Sequence, residues 1–343
     1  MNADMPPLVL LLAALHRTGC HHLSLSKLAD EAVLTERGIL PLLDRIEEMG
    51  GRLEVHPHLG CRLIQAPDRL VVEDLQARLL MLADKGGVPL VIGRCIRTLT
   101  ETGSTNDVVR ELARNGEPGG TVVFAEKQTS GRGRQGRSWC SPKGKGLWFS
   151  VLLRPRLGAQ EVGRLTVMTG VAVARALEEA SGLPLQLKWP NDVLCRRRKL
   201  CGILVETQWI ANGGLDYAVV GVGINVNVEA ADLPGDLRGK TTSLRIEAGR
   251  EWHLPALVAD VLWRMEKERR RMEGGLFGEI LSEWASLDCT LGRQVRLREY
   301  GAEVRGLAAG MDPTGGLLIR TDDGRMMVAA AGEVVFEEAA KDC

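Results

Sequence analysis

Between residues 8 and 49 apolar positions recur at helical spacing in three blocks, broken at Gly19 and at Val33-Leu34-Thr35. Two alternating runs follow, Arg52-Leu53-Glu54-Val55 and Cys61-Arg62-Leu63-Ile64. Three helices and a two-stranded wing predict a winged helix-turn-helix. Pro67 opens a connecting segment with one more amphipathic helix near residues 70–82, and Lys85-Gly86-Gly87 marks a loop. From Ile92 onward, short strand-like runs at 121–125, 147–153, 186–189, 202–207 and 217–222 are interspersed with helical patterns at 104–114, 160–181 and 254–272. This mixture predicts an α+β fold, a mixed sheet with helices on one face. After Cys289 come four short runs, 295–297, 302–307, 317–320 and 326–328, separated by Tyr300-Gly301, Pro313-Thr314-Gly315-Gly316 and Asp323-Gly324. Short strands at such spacing predict a small β-barrel.

Composition narrows the function classes. With 45% apolar and 26% charged residues the chain of 343 is globular, not disordered. Its 44 basic and 44 acidic side chains cancel, so no global field favours nucleic acid or an anionic membrane, and any anion site must be local. Eight cysteines form no C-x-x-C pair, which predicts a reduced, cytoplasmic protein. The apolar stretch 8–15 has no basic residue before it and no small-residue cleavage site after it, so it reads as a buried helix; no run is long enough to span a bilayer.

The most informative stretch is Gln128-Thr129-Ser130-Gly131-Arg132-Gly133-Arg134-Gln135-Gly136-Arg137-Ser138-Trp139. Its glycines let a ligand approach the backbone closely, and its arginines offer planar donor forks to phosphate or carboxylate oxygens. A solvated basic loop is the other reading of such a tract. Gly131, Gly133 and Gly136 also fit the dinucleotide pattern G-x-G-x-x-G, but that pattern needs a helix to start at the loop, and Ser138, Ser141, Pro142, Gly144 and Gly146 forbid one. Gly235 to Thr241 resembles a phosphate-binding P-loop with one residue too few between its glycines, and is read as surface loop.

A second constellation is Lys188-Trp189-Pro190-Asn191-Asp192, followed by Arg198-Lys199-Leu200-Cys201-Gly202-Ile203-Leu204-Val205-Glu206. A lysine closing a strand before a tight turn is held by the sheet, where its ammonium can neutralise a phosphoryl group; a plain strand end is the alternative. Gly221-Val222-Gly223-Ile224-Asn225-Val226-Asn227 sets small residues beside amides, as packing against a purine or ribose requires.

These motifs, with Ser104-Thr105-Asn106 ahead of them, stand in the order and spacing of the biotin protein ligases, and the chain resembles the bacterial class that doubles as biotin operon repressor. The resemblance implies a central biotin/lipoate-ligase type α/β domain with a mixed sheet and an SH3-like C-terminal barrel. Domains are expected at 1–66 (winged helix), 67–95 (connector), 96–285 (catalytic) and 286–339 (barrel). It implies ATP, Mg²⁺ and biotin as reactants, the biotin carboxyl carrier protein of acetyl-CoA carboxylase as acceptor, a homodimer and a DNA operator. It assigns Ser104, Thr105, Asn106, Gln128, Arg132, Gly133, Arg134, Lys188, Gly202, Ile203 and Leu204 to biotin. Arg132, Arg134, Trp139, Lys188, Asn191 and Asn225 go to ATP or the adenylate, with Lys188, Arg132 and Arg134 as the catalytic cations and metal ligands unassigned.

The N-terminal domain departs from a DNA-binding surface. Up to Leu63 it carries six basic residues against eight acids, and its five histidines are mostly neutral near pH 7. Thr35 is a fair N-cap for the recognition helix, but Pro41 lies inside the expected span, so the helix should start near Leu40 or kink. The wing, His56-Pro57-His58-Leu59-Gly60, lacks lysine and arginine. Two rivals remain: a lipoate ligase-like acyltransferase, and a non-enzymatic biotin-sensing DNA-binding regulator.

Overall fold

The computed structural model describes residues 5–87, 89–211, 213–299 and 302–336; the predicted turn at Tyr300-Gly301 and positions 337–339 of the expected last domain lie outside them. The N-terminal unit comprises α1 (Pro7–Thr18), α2 (Leu25–Ala32), α3 (Glu36–Glu48) and the antiparallel wing β1 (Arg52–His56) and β2 (Gly60–Gln65). α1 is buried from Val9 to Leu15 and forms the centre of this unit, against Leu28, Ile39 and Ile46. A helix apolar on all sides must be covered on all sides.

α3 starts at its Thr35 cap and continues through Pro41, rather than starting near Leu40. Pro41 lies on the exposed face, and the carbonyl that loses its partner, on Arg37, is on an exposed residue that water can satisfy. Ile39, Leu43 and Ile46 are buried at helical spacing and hold the segment in register.

The connector is more than a tether. α4 (Val72–Gly86) buries Ala77 and Leu80 in the N-terminal core and Leu75 and Leu79 in the main core. Its fully buried Asp74 accepts from His16 of α1 (2.6 Å) and from Arg78 (2.7 Å).

The central sheet holds β3 (Ile96–Thr102), β4 (Val122–Gln128), β5 (Gly146–Leu153), β6 (Leu185–Lys188), β7 (Asp192–Cys195), β8 (Arg198–Trp209) and β9 (Leu215–Asn225). Their order is β3-β4-β5-β9-β8-β7-β6, with β3 and β4 parallel and the other neighbours antiparallel. Helices α5 (Thr105–Arg114), α6 (Gly163–Ser181), α7 (Leu244–Ala248), α8 (Leu254–Glu273) and α9 (Phe277–Leu287) accompany it. They do not share one face. Val109 and Ala113 of α5 pack on Val123, Leu152 and Val219, whereas the intervening strand residues Val122, Phe124, Val151 and Val220 point into the core shared with α6, α8 and α9. β5 is buried at every position, so its sequence carries no alternation to show that two layers cover it.

The expected SH3-like barrel is corrected to an open sheet. β10 (Gln294–Glu299), β11 (Ala302–Met311), β12 (Leu317–Thr321), β13 (Met326–Ala329) and β14 (Glu333–Phe336) form an antiparallel sheet of order β13-β12-β11-β10-β14, with no ladder between β13 and β14 among the described residues. Only residues 330–332 connect those two edge strands. Closure needs a ladder and a consistent stagger between the edges, and two four-residue strands joined so tightly supply neither. The gap is used instead: Gly332, Glu333 and Val334 face the central domain. No described helix is long and apolar enough to cross a membrane.

Candidate active site

One cavity of about 320 Å³, within the range of small-ligand pockets, is lined by every residue assigned to the site from the sequence. Ser104 lies just before α5, Thr105 and Asn106 in its first turn, and all three are buried. Gln128 ends β4; its Oε1 accepts from the Thr105 amide (2.9 Å) and from the Thr105 hydroxyl (3.2 Å), and its Nε2 donates to Ser141 (3.0 Å). The Thr105 and Ser150 hydroxyls are 2.7 Å apart, Ser150 donates to Asn106 Oδ1 (2.6 Å), and Asn106 donates to Glu206 (2.6 Å). This chain of bonds fixes which atoms face the cavity as donors and acceptors. Bare Gly221 is part of it, because a Cβ there would lie 2.3 Å from Asn106 Oδ1.

The Gly/Arg tract folds back as a tight hairpin. The Gly133 amide donates to the Arg137 carbonyl (2.7 Å), the Trp139 amide to Gly131 (2.8 Å), and Arg132 pairs with Ser138. Gly131 must be glycine, since a Cβ would lie 2.5 Å from the Trp139 carbonyl oxygen. Its three arginines have different partners. Arg132 binds both Asp107 oxygens (2.6 and 2.7 Å), with Glu206 at 3.5 Å. The hydrogen bond from Arg132 holds the Asp107 carboxyl below the usual aspartate range. Arg134 donates to Asn191 Oδ1 (3.3 Å), and Arg137 binds Glu333 of β14 (2.5 Å), lowering that carboxyl in turn.

Lys188 ends β6 with its ammonium 5.0 Å from the centre of the Phe336 ring. Asn191, just ahead of β7, clamps β8, its Nδ2 donating to the Ile203 carbonyl (2.7 Å). Asp192 is ion-paired to Lys199 (2.7 Å) and opens β7, which fits a structural role better than that of a base. Gly202 and Gly223 form a floor under Trp139: a Cβ at either would lie 2.9 and 2.5 Å from the indole. Lys199 lies over that indole at 5.3 Å, and buried Asn225 donates to the Thr242 carbonyl (3.0 Å).

Several lining residues escaped the sequence reading. Lys240 and Thr241 belong to the tract taken as surface loop, yet the Lys199 amide donates to the Lys240 carbonyl (2.9 Å), bringing the tract to the cavity wall. Gly332 to Val334 come from the last sheet, 107 or more positions after Asn225, and no local motif marks them. Asp107, the partner of the cavity-lining Arg132, follows the Ser-Thr-Asn motif at once; with Arg110 three places on it reads as an ordinary helix-surface pair, which hid the contact 25 positions away. Among the described residues no three His, Cys, Asp or Glu side chains converge as a metal site.

The architecture is that of an enzyme pocket in which a prewired polar end, a cationic middle and a glycine floor share one cavity. The family model "Biotin/lipoate A/B protein ligase family" matches residues 98–225, and "Biotin protein ligase C terminal domain" matches 290–336. The chain is 32% identical to the bifunctional ligase/repressor BirA of Bacillus subtilis over 94% of this chain and 96% of that protein. It is 34% identical to the biotin–[acetyl-CoA-carboxylase] ligase of Paracoccus denitrificans over 69% of this chain and 99% of that one. The structure of the biotin protein ligase from Aquifex aeolicus in complex with biotin and ATP superposes with a TM-score of 0.61 at 31% identity, covering 72% of this chain and 100% of that chain. The chain belongs to the biotin protein ligase family.

Proposed function

We infer that the chain activates biotin with ATP and transfers the biotinoyl group to a lysine of a carrier protein. The observation that carries this reading is the joining of the Gln128–Thr105–Ser150–Asn106 hydrogen-bond chain to Lys188 and the arginine hairpin in a single cavity. The biotin ureido ring, with donors and an acceptor, fits the wired end. Ser104, Thr105, Asn106 and Gln128 are assigned to it, with backbone from Gly202, Ile203 and Leu204 along the sides.

A carboxylate oxygen of biotin attacks the α-phosphorus of ATP, and the bond to pyrophosphate breaks. Two anions must be brought together while charge builds on the phosphoryl oxygens, so pre-placed cations do most of the work. Lys188 and Arg132 are assigned to that charge, and Gly133 with Arg134 to closing over biotin and the α-phosphate. Trp139, Asn191 and Asn225 are assigned to the adenylate. The acceptor lysine, as its free amine, then attacks the acyl carbon; its proton is lost and AMP leaves. The carboxylates that line the cavity, Asp192 and Glu333, are committed to Lys199 and Arg137. Mg²⁺ therefore enters this proposal with the ATP phosphates, without an assigned protein ligand.

The biotin carboxyl carrier protein of acetyl-CoA carboxylase is the proposed acceptor and a homodimer the proposed assembly. The domain limits 1–66, 67–95, 96–285 and 286–339 are proposed with them, the last now an open sheet. Incubation with ATP, Mg²⁺, biotin and a carrier domain, followed by intact-mass analysis, tests the reading: the carrier should gain one biotinoyl group. A chain that labels with lipoate and not biotin would be an acyltransferase of the rival kind, and one that binds biotin but labels nothing would be a sensor. A second reading, biotin-responsive operator binding, is supported by relatives named ligase/repressor that match 94% of this chain, winged helix included.

A further inference from the structure

Lys188 ends β6, an edge strand whose outer edge carries, among the described residues, a single bridge from Leu187 to Asp288, and its side chain stands off the sheet face. A four-carbon side chain in that position samples many rotamers unless something holds its end. Among the described residues no carboxylate forms an ion pair with Lys188: Glu333, on the facing strand, is bound to Arg137, and Asp192 to Lys199. What the ammonium does meet is the ring of Phe336, 5.0 Å from its centroid. The Arg293 guanidinium lies over the same ring at 4.1 Å.

The ring and the lysine share one frame. Phe336 pairs with Val295 in the β10–β14 ladder and packs against the main core. On the other side, the Cys289 amide donates to the Leu187 carbonyl (2.9 Å) and the Trp189 amide to the Thr290 hydroxyl (3.1 Å), so the backbone on both sides of Lys188 is bonded to the lead-in of the last sheet. The Trp189 indole adds a bond to the Gly315 carbonyl (3.1 Å). A movement of the last sheet would therefore move ring and lysine together.

We propose that Phe336 is a positioning residue for adenylate formation: its π face holds the Lys188 ammonium where the biotin carboxylate and the α-phosphate meet. This rests on the role given above to Lys188. An aromatic face attracts a cation through its quadrupole, a directional hold that leaves the N–H donors free for an incoming anion, which a carboxylate partner would not. The C-terminal sheet thereby supplies a part of the reaction centre that lies 148 positions from the lysine it serves.

The test is single-turnover formation of biotinoyl-AMP by the full-length chain, with biotin affinity and thermal melting measured alongside. Phe336→Leu keeps an apolar side chain and removes the π face; it should slow adenylate formation by about 5- to 30-fold, the rate equivalent of a partly desolvated cation–π contact, with biotin Kd within about twofold. Phe336→Tyr should restore the rate. In a Lys188→Ala background Phe336→Leu should cost nothing more, which a general packing role would not produce. Should Phe336→Leu fail to fold, ring-fluorinated phenylalanine at 336 keeps the shape while draining the quadrupole, and the rate should fall with each added fluorine. A Phe336→Leu enzyme at full rate, or one that loses the same factor with and without Lys188, overturns the proposal while leaving the role of Lys188 standing. Wild-type turnover in Lys188→Ala would remove both.

Discussion

Arg132 and Asp107 face each other through two parallel hydrogen bonds of 2.6 and 2.7 Å, so the first cation of the arginine hairpin is already neutralised by a carboxylate of α5. A phosphate or carboxylate ligand that recruits Arg132 must compete with that carboxylate. Asp107→Asn should therefore loosen the hairpin, and trypsin should cut within residues 131–137 several-fold faster. Biotin with ATP should restore protection in wild type and mutant alike. The sign with pH follows from the depressed Asp107 carboxyl: the pair is present above the ordinary aspartate value and is lost only as pH falls through a still lower one. Wild-type cleavage corrected for trypsin activity should stay flat from about pH 5 to 8. Cleavage unaffected by Asp107→Asn would remove the pair as a restraint.

Lys188→Ala should lower the rate of adenylate formation by ~10²–10³, the usual loss for one pre-placed transition-state charge contact, with an unchanged melting temperature. Pyrophosphate release reports it directly. Full activity would exclude Lys188 from the chemistry.

In the joint between α1 and the connector helix α4 the polar contact is Asp74. Burial pushes its carboxyl up, but the His16 hydrogen bond and the Arg78 charge outweigh that and hold it below the usual range. Asp74→Asn leaves buried donors poorly matched and should destabilise the chain by about 3 kcal/mol in denaturant titration. The contribution of a depressed carboxyl is complete above its unfolded value and fades as pH falls through the folded one. The mutational difference should therefore persist from neutral pH to about 4 and shrink below it. A difference under 0.5 kcal/mol, roughly that of an ordinary surface substitution, would show that the joint is held by apolar packing alone.

The sequence made the site legible because its motifs require particular residues for local reasons: Gly131 for the hairpin, Gly221 for Asn106, Gly202 and Gly223 for Trp139. It did not reveal β7, whose return turn uses Arg196 and Arg197 at φ of 48° and 66°, a left-handed conformation that turn rules reserve for glycine and asparagine. Placing every helix on one face failed because α5 has a narrow apolar stripe and β5 is apolar on both sides. The barrel failed for a different reason, since strand patterns show which residues extend but not whether two edges meet. Glu333 reaches the cavity, and Phe336 the Lys188 ammonium, only through that non-local arrangement.

DNA binding by the winged helix should be weak and strongly salt-dependent. The exposed face of α3 presents Glu36, Asp44, Glu47 and Glu48 against Arg37 and Arg45, and Arg45 is paired with Glu48 at 2.9 Å. Phosphate contacts supply most protein–DNA affinity, and this face offers few. Fluorescence anisotropy on the gene's own upstream region, with biotin and ATP at a stated salt concentration, decides the matter. A nanomolar, sequence-selective complex would sink this expectation and support the ligase/repressor reading in full.

Biotinoyl-AMP is a mixed anhydride that acylates any lysine it meets, so the site must retain it until the carrier arrives. Arg134 sits at the tip of the hairpin, where Gln135 and Gly136 turn the chain at φ of 54° and 73°, and it reaches across to Asn191 Oδ1 at 3.3 Å. That bond spans the cavity from the hairpin to the turn after Lys188. Arg137 instead ties the hairpin to Glu333 of the last sheet. We therefore assign Arg134 to holding the hairpin shut more than to bond making. Arg134→Gly should still form adenylate but release it faster, because a charge-assisted contact worth about 1.5–3 kcal/mol corresponds to roughly one to two powers of ten in the release rate. Asn191→Ala, which removes the neutral partner, should show a weaker form of the same defect. Albumin added to the reaction and probed for biotin gives the readout, with pyrophosphate release as the control for adenylate formation. If Arg134→Gly makes adenylate at a normal rate yet labels albumin no more than wild type does, the latch lies elsewhere in the hairpin.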